Sequence, residues 1–190
     1  MSDETSALVE AQLVRRIAQG DRAALAALYD LYAKPLYSFA VRVVGDAKEA
    51  EDVLQEVFLQ LWEKAGQFDE QDGRPFNWAV TMTRHKAIDR LRARQRRRRV
   101  LVETAESESL GEVAESSAPG PDSFGHDQAA QIRTAVQELP GEQRHAIELA
   151  FFGGLTHFEI AAQLREPLGT IKARIRRGIL RLRDGLEGGV

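Results

Sequence analysis

The sequence predicts an all-α protein of two small helical domains joined by a flexible acidic linker, and three observations carry that expectation. Of its 190 residues 43% are hydrophobic but only 7% aromatic, and with Leu, Ala, Glu and Arg prominent this balance favours helices over sheets. Apolar residues recur at three- and four-residue spacing on both sides of the middle of the chain, without strand-like alternation. The middle itself, Glu103 to Gly125, is rich in Glu, Ser, Gly and Pro and poor in large apolar residues, so it cannot bury enough surface to offset its ordering entropy. The expected division is 1–100, a linker over 101–126, and 127–190.

In the first domain Leu25, Leu28, Tyr29, Tyr32, Leu36 and Phe39 share one face of a helix that Pro35 is expected to kink or interrupt. Asp46 is a candidate cap for the next helix, whose apolar face is Val53, Leu54, Val57, Phe58, Leu61 and Trp62. Its opposite face, Glu49, Asp52 and Glu56, is acidic. A loop, Gln67 to Arg74, follows Gly66. Pro75 then suits the first turn of a helix expected to turn Trp78, Val80, Ile88 and Leu91 inward before running out into arginines.

In the second domain Leu139-Pro140 ends one helix, Glu142 to Phe152 forms another, and Gly153-Gly154 stops it. Thr156 and Glu159 have the spacing of a capping box. A short helix with Ile160, Ala161 and Leu164 inward is followed by a tight connection through Arg165-Glu166-Pro167. In the last helix Leu168, Ile171, Ile175 and Leu182 are expected inward, which turns Lys172, Ala173, Arg176 and Arg177 outward. A capped helix, a tight turn and a basic amphipathic helix make a helix-turn-helix, whose exposed face suits a DNA major groove.

The net charge of −3 conceals a strong segregation. Between Arg84 and Arg99 lie Arg84, Lys86, Arg90, Arg92, Arg94 and Arg96 to Arg99 against one acid, Asp89. From Lys172 to Arg183 six cations face no acid, whereas Glu103 to Asp127 holds seven acids and no Lys or Arg. Two basic surfaces flanking an acidic segment suggest two contacts with nucleic acid. With no cysteine and four scattered histidines, there is no disulfide, thiolate or ligand spacing, so neither a metal site nor a catalytic residue is expected. No apolar run reaches the ~18–20 residues of a membrane span, and a cytoplasmic protein is expected.

These segments together resemble the extracytoplasmic-function (ECF) group of bacterial RNA polymerase sigma factors. DAKEAEDVLQEVFLQLW, from Asp46 to Trp62, is similar to the sigma-two helix that binds the clamp helices of the polymerase. FNWAVTMTRHKAIDRLRAR, from Phe76 to Arg94, is similar to the promoter-melting, minus-ten-reading helix. LPGEQRHAIELAFFGGLTHFEIAAQLREPLGTIKARIRRGILRLR, from Leu139 to Arg183, is similar to the sigma-four domain that reads the minus-thirty-five element. Two positions depart from the family pattern. Arg165 stands where Gly is common, in a turn suited to positive φ, and His85 stands where many relatives have Asn.

The resemblance implies a non-catalytic protein without cofactor or small-molecule substrate. It would bind core RNA polymerase through Asp52, Gln55 and Glu56, which share one helical face and suit charge-assisted bonds to arginines. Minus-ten DNA would be gripped by Phe68, Phe76, Asn77, Arg84, His85, Lys86, Arg90, Arg92 and Arg94, with the loop Gln67 to Arg74 as a pocket wall for a base taken out of the stack. Upstream DNA would meet Thr170, Lys172, Ala173, Arg174, Arg176 and Arg177. An anti-sigma partner, often membrane-bound in the family, is also implied. From residues alone Phe68, a loop aromatic without a helical packing face, suits base contact, whereas Trp78 suits a core anchor. The rival reading is a stand-alone helix-turn-helix transcriptional regulator, which explains neither the acidic helix face nor the second basic helix.

Overall fold

The computed structural model describes residues 3–104 and 134–187, which fall into two compact helical units. Among these residues there is no strand. Most of the expected linker, 101–126, lies outside them.

The first unit packs four helices: α1 (Asp3–Ala18), α2 (Arg22–Val44), α3 (Ala47–Lys64) and α4 (Pro75–Thr104). Asp21 starts α2 by accepting from the amides of Ala23 and Ala24, and the same carboxylate binds Arg16, which closes the α1–α2 corner. The Arg16 hydrogen bond, ahead of the two amides, holds the Asp21 carboxyl below the ordinary carboxylate range. Of the two effects expected of Pro35, interruption does not occur: α2 runs through the proline as one helix. The ring removes one backbone donor, while Leu28, Tyr32, Leu36 and Ala40, all buried, anchor the helix on both sides of it. Gly45, at φ +70°, ends α2 in the left-handed region, and Asp46 caps α3 as expected, accepting from the Glu49 amide at 2.9 Å.

The core lies between α2, α3 and α4, with Val53, Val57 and Leu61 of α3 fully or almost fully buried. On α4 the inward face is rotated from the one the large residues suggest. Ala79, Met82, Thr83, Ala87 and Ile88 are buried, while Trp78, Val80 and Leu91 are only half-buried. Small residues on that face let α4 come close to α2 and α3. Thr83 satisfies its buried hydroxyl by donating to the Ala79 carbonyl at 2.8 Å. The helix continues to Thr104, beyond the boundary expected at residue 100.

In the second unit residues 134–137 are helical, followed by α5 (Gly141–Phe151), α6 (His157–Leu164) and α7 (Leu168–Glu187). Ala146, Ile160, Ala161, Ile171 and Ile175 form its centre. Leu168, expected inward, is 37% exposed because it is the first residue of α7 and precedes the packed turn. A Cβ at Gly178 would lie 2.6 Å from Ile147 Cδ1, so this glycine lets α7 sit directly against α5.

Candidate functional site

In the first unit the acidic face of α3 and the basic face of α4 are joined. Arg90 places Nη1 2.8 Å from Asp52 Oδ2 and Nη2 2.7 Å from Glu56 Oε1. Lys86 adds its ammonium 3.1 Å from Glu56 Oε2. The Arg90 hydrogen bond, ahead of Lys86, holds the Glu56 carboxyl below its ordinary value, and Glu56 in turn raises the Arg90 guanidinium. Two residues expected to grip DNA are thus engaged with two expected to meet the polymerase. The four remain partly exposed, and Gln55, beside them on α3, is exposed.

The rest of the expected minus-ten set divides by exposure. Asn77 and His85 lie on the outer face of α4, and Thr81, four residues from each, completes that stripe. Thr81 is absent from the expected set, although the Asn77–His85 spacing contains the signal for it. Arg84 is half-buried, and Arg92 and Arg94 are exposed. Arg94 donates to the Val44 carbonyl at 3.3 Å, bracing the C-terminus of α2 where a cation is favoured.

The loop before α4 is built from two 3-10 turns, Ala65–Gln67 and Glu70–Asp72, the second started by Asp69 accepting from the Gln71 amide at 2.9 Å. Gly73, at φ +118°, makes the turn into Arg74 and Pro75. Phe68 is not the lone loop aromatic it resembles in sequence. Its ring centroid is 5.2 Å from that of Trp78, and it is half-buried there. Phe76 is likewise half-buried, edge-on to Tyr32 at 5.0 Å. Asn77, which follows Phe76, is exposed.

In the second unit the capping box is formed in both directions: the Glu159 amide donates to Thr156 Oγ1 at 3.2 Å, and the Thr156 amide donates to Glu159 Oε2 at 2.7 Å. Arg165 ends α6 at φ 55°, ψ 43°, the left-handed conformation that glycine would take without strain. Lys172, Arg176 and Arg177 are exposed on α7, with Thr170 and Ala173 half-buried between them. Arg174 is different. Its side chain is 14% exposed, with Nη1 2.6 Å from Glu166 Oε2 and Nη2 2.9 Å from Glu142 Oε2. Glu166, before Glu142, raises its pKa. Arg174, expected at a phosphate, here ties the start of α7 to the turn and to α5.

Among the described residues no group of His, Asp and Glu is placed to hold a metal, and no helix is long and apolar enough to cross a membrane. The first unit thus sets a basic helix against an acidic one, and the second carries a capped helix, a tight turn and a basic helix. The Sigma-70 region 2 family model matches residues 28–97 and the Sigma-70, region 4 model matches residues 129–182. The ECF RNA polymerase sigma factor SigK of Mycobacterium ulcerans is 34% identical over 177 residues, 92% of each chain, and that of Mycobacterium tuberculosis H37Rv is 33% identical over the same shares. Among solved structures, Rhodobacter sphaeroides SigE in complex with the anti-sigma ChrR is 32% identical, covering 96% of this chain and 99% of that one, with a TM-score of 0.45. Bartonella quintana RpoE in complex with the anti-sigma factor NepR is 24% identical over 86% and 97%, with a TM-score of 0.39.

The chain belongs to the ECF family of RNA polymerase sigma factors, which direct transcription initiation. The stand-alone regulator reading gives way, because both regions match in the sigma-factor order within one set of relatives.

Proposed function

We propose that this sigma factor docks on core polymerase through the open edge of α3, opens the minus-ten element with the loop and outer face of α4, and reads the minus-thirty-five element with α7. The observation that carries the reading is the sorting of cations on α7. Lys172, Arg176 and Arg177 are exposed and make no ion pair among the described residues, whereas Arg174 is held by two carboxylates. Uncompensated cations on a recognition helix gain most from a polyanion, with Thr170 and Ala173 at the same surface. On α4 the corresponding contacts are Asn77, Thr81 and His85 toward bases and Arg84, Arg92 and Arg94 toward phosphates, with Phe68 and Phe76 walling the pocket.

Docking belongs to Gln55 and to the outer edges of Asp52 and Glu56, each carboxylate retaining acceptor capacity for a partner's arginine. The chain acts in the cytoplasm without catalytic chemistry or cofactor of its own, and an anti-sigma factor, often membrane-bound in this family, controls its release. Reversing Asp52 or Glu56 would disturb Arg90 as well, so Gln55→Arg is the cleaner test. It adds a positive charge to the docking edge without removing an ion pair. Co-purification with core polymerase is expected to fall about tenfold or more, as a like charge in a contact costs several kcal/mol. Unchanged co-purification with an unchanged helical spectrum would overturn the docking reading.

A further inference from the structure

Helix α1 precedes the Sigma-70 region 2 match, which begins at residue 28, yet it is bound to the loop before α4 at two points. Arg15 pairs with Glu70 of the second 3-10 turn, with Nε 2.7 Å from Glu70 Oε1. Glu10 Oε1 lies 3.3 Å from Arg74 Nη2 at the loop's end, and Ser6 donates to the same Glu10 oxygen at 3.1 Å. Glu10 is 7% exposed, and burying a carboxylate is costly without a charged or hydrogen-bonding partner. Beside the Arg15–Glu70 pair, Val14 and Ala18 of α1 and Gly66 and Phe68 ahead of α4 line a shallow groove.

We infer that α1 is a positioning strap for the minus-ten pocket, with Glu10 acting through Arg74 and Arg15 acting through Glu70 to hold the loop that carries Phe68. The inference rests on the reading of Gln67 to Arg74 as the pocket wall. The physical reason is preorganisation. A loop of two 3-10 turns and a positive-φ glycine has few backbone bonds to neighbouring elements, and capture of an unstacked base is penalised by any ordering that must occur at that moment. Two side chains from one helix remove that ordering in advance. The strap touches no base, so its effect should appear in strand opening rather than in polymerase docking.

The experiment uses the full chain with core polymerase on a promoter mapped from transcript ends after overexpression, supplied as closed duplex and with its minus-ten segment already unpaired. Arg15→Glu, at a largely exposed site, is expected to slow open-complex formation on duplex about tenfold, to recover most of that loss on the unpaired template, and to be rescued by Glu70→Arg in the same chain. Glu10→Gln should show the same template dependence. An equal loss on both templates, or no rescue by the charge swap, would overturn the strap. Asn77→Ala and Phe68→Ala test the underlying reading separately. If they leave base preference at the minus-ten element unchanged, the pocket assignment fails. If they change it while Arg15→Glu opens duplex normally, the strap alone fails.

Discussion

Helices α4 and α7 carry the same sequence signal, a dense run of Lys and Arg on an amphipathic helix, but they use it differently. On α4 Arg90 and Lys86 are neutralised within the protein by Asp52 and Glu56, while the exposed Arg94 donates one hydrogen bond to the Val44 carbonyl. On α7 Arg174 is neutralised by carboxylates of other elements and Arg183 pairs with its neighbour Asp184, while Lys172, Arg176 and Arg177 are exposed without an ion pair among the described residues. An arginine-rich helix can therefore be a fastener, a reading surface, or both. Which arginine does which depends on whether a carboxylate from another element reaches it.

The largest effect that would break this contrast is expected on α7. Replacing Arg176 and Arg177 together with Ala should weaken holoenzyme binding to the upstream duplex at least ~30-fold and lower the slope of log affinity against log salt by roughly 0.9 for each phosphate left unneutralised. Fluorescence anisotropy across a salt series measures both. An unchanged slope would mean that these side chains do not face the backbone.

Arg174→Ala is the counterpart. It should lower the melting temperature of the second unit, followed by circular dichroism, and leave the salt slope unchanged, since the guanidinium is occupied by Glu142 and Glu166. A slope change matching that of Arg176→Ala would erase the distinction between the two positions.

On α4, Arg90→Gln should cost about 1 kcal/mol of stability, because the network is bidentate but its partners are partly exposed. Core-polymerase co-purification should persist, since the carboxylates are released rather than removed. The pH dependence sharpens the test. Glu56 has a lowered pKa in the folded state relative to its ordinary 4.5, so its contribution is complete above that value and is lost as pH falls through the lower folded pKa. The stability gap between wild type and Arg90→Gln should therefore be constant from pH 8 to 6 and shrink below about 4.5, a result to be read from urea titrations.

The smallest effect is expected at the turn that seats α7. Arg165→Gly removes a side chain from a left-handed backbone position, and the strain relieved exceeds the added freedom of the unfolded chain by about 0.5 kcal/mol. A small rise in melting temperature with unaltered upstream preference is the expected result. A fall would place a stabilising role on the Arg165 side chain.

The sequence alone determined the helical class, the two-unit organisation and the helix-turn-helix, because these depend on local chemistry. Asp46 and the Thr156–Glu159 box satisfy backbone amides a few residues away, Pro75 suits a first turn, and Ile171 and Ile175 repeat at helical spacing. The outward placement of Lys172, Arg176 and Arg177 was legible for the same reason. Only the tertiary structure decided the rest. Rotation of α4 onto Ala79, Thr83 and Ala87 depends on how closely neighbouring helices approach, which small residues permit but do not announce. Continuity of α2 through Pro35 depends on burial on both sides of the ring. The pairings of Arg90 with Asp52 and Glu56, Arg174 with Glu142 and Glu166, and Arg15 with Glu70 join residues on different elements. A charge is visible in sequence, but its partner is set by packing geometry, because Coulomb attraction and hydrogen bonding act over a few ångströms of space, whatever the separation along the chain.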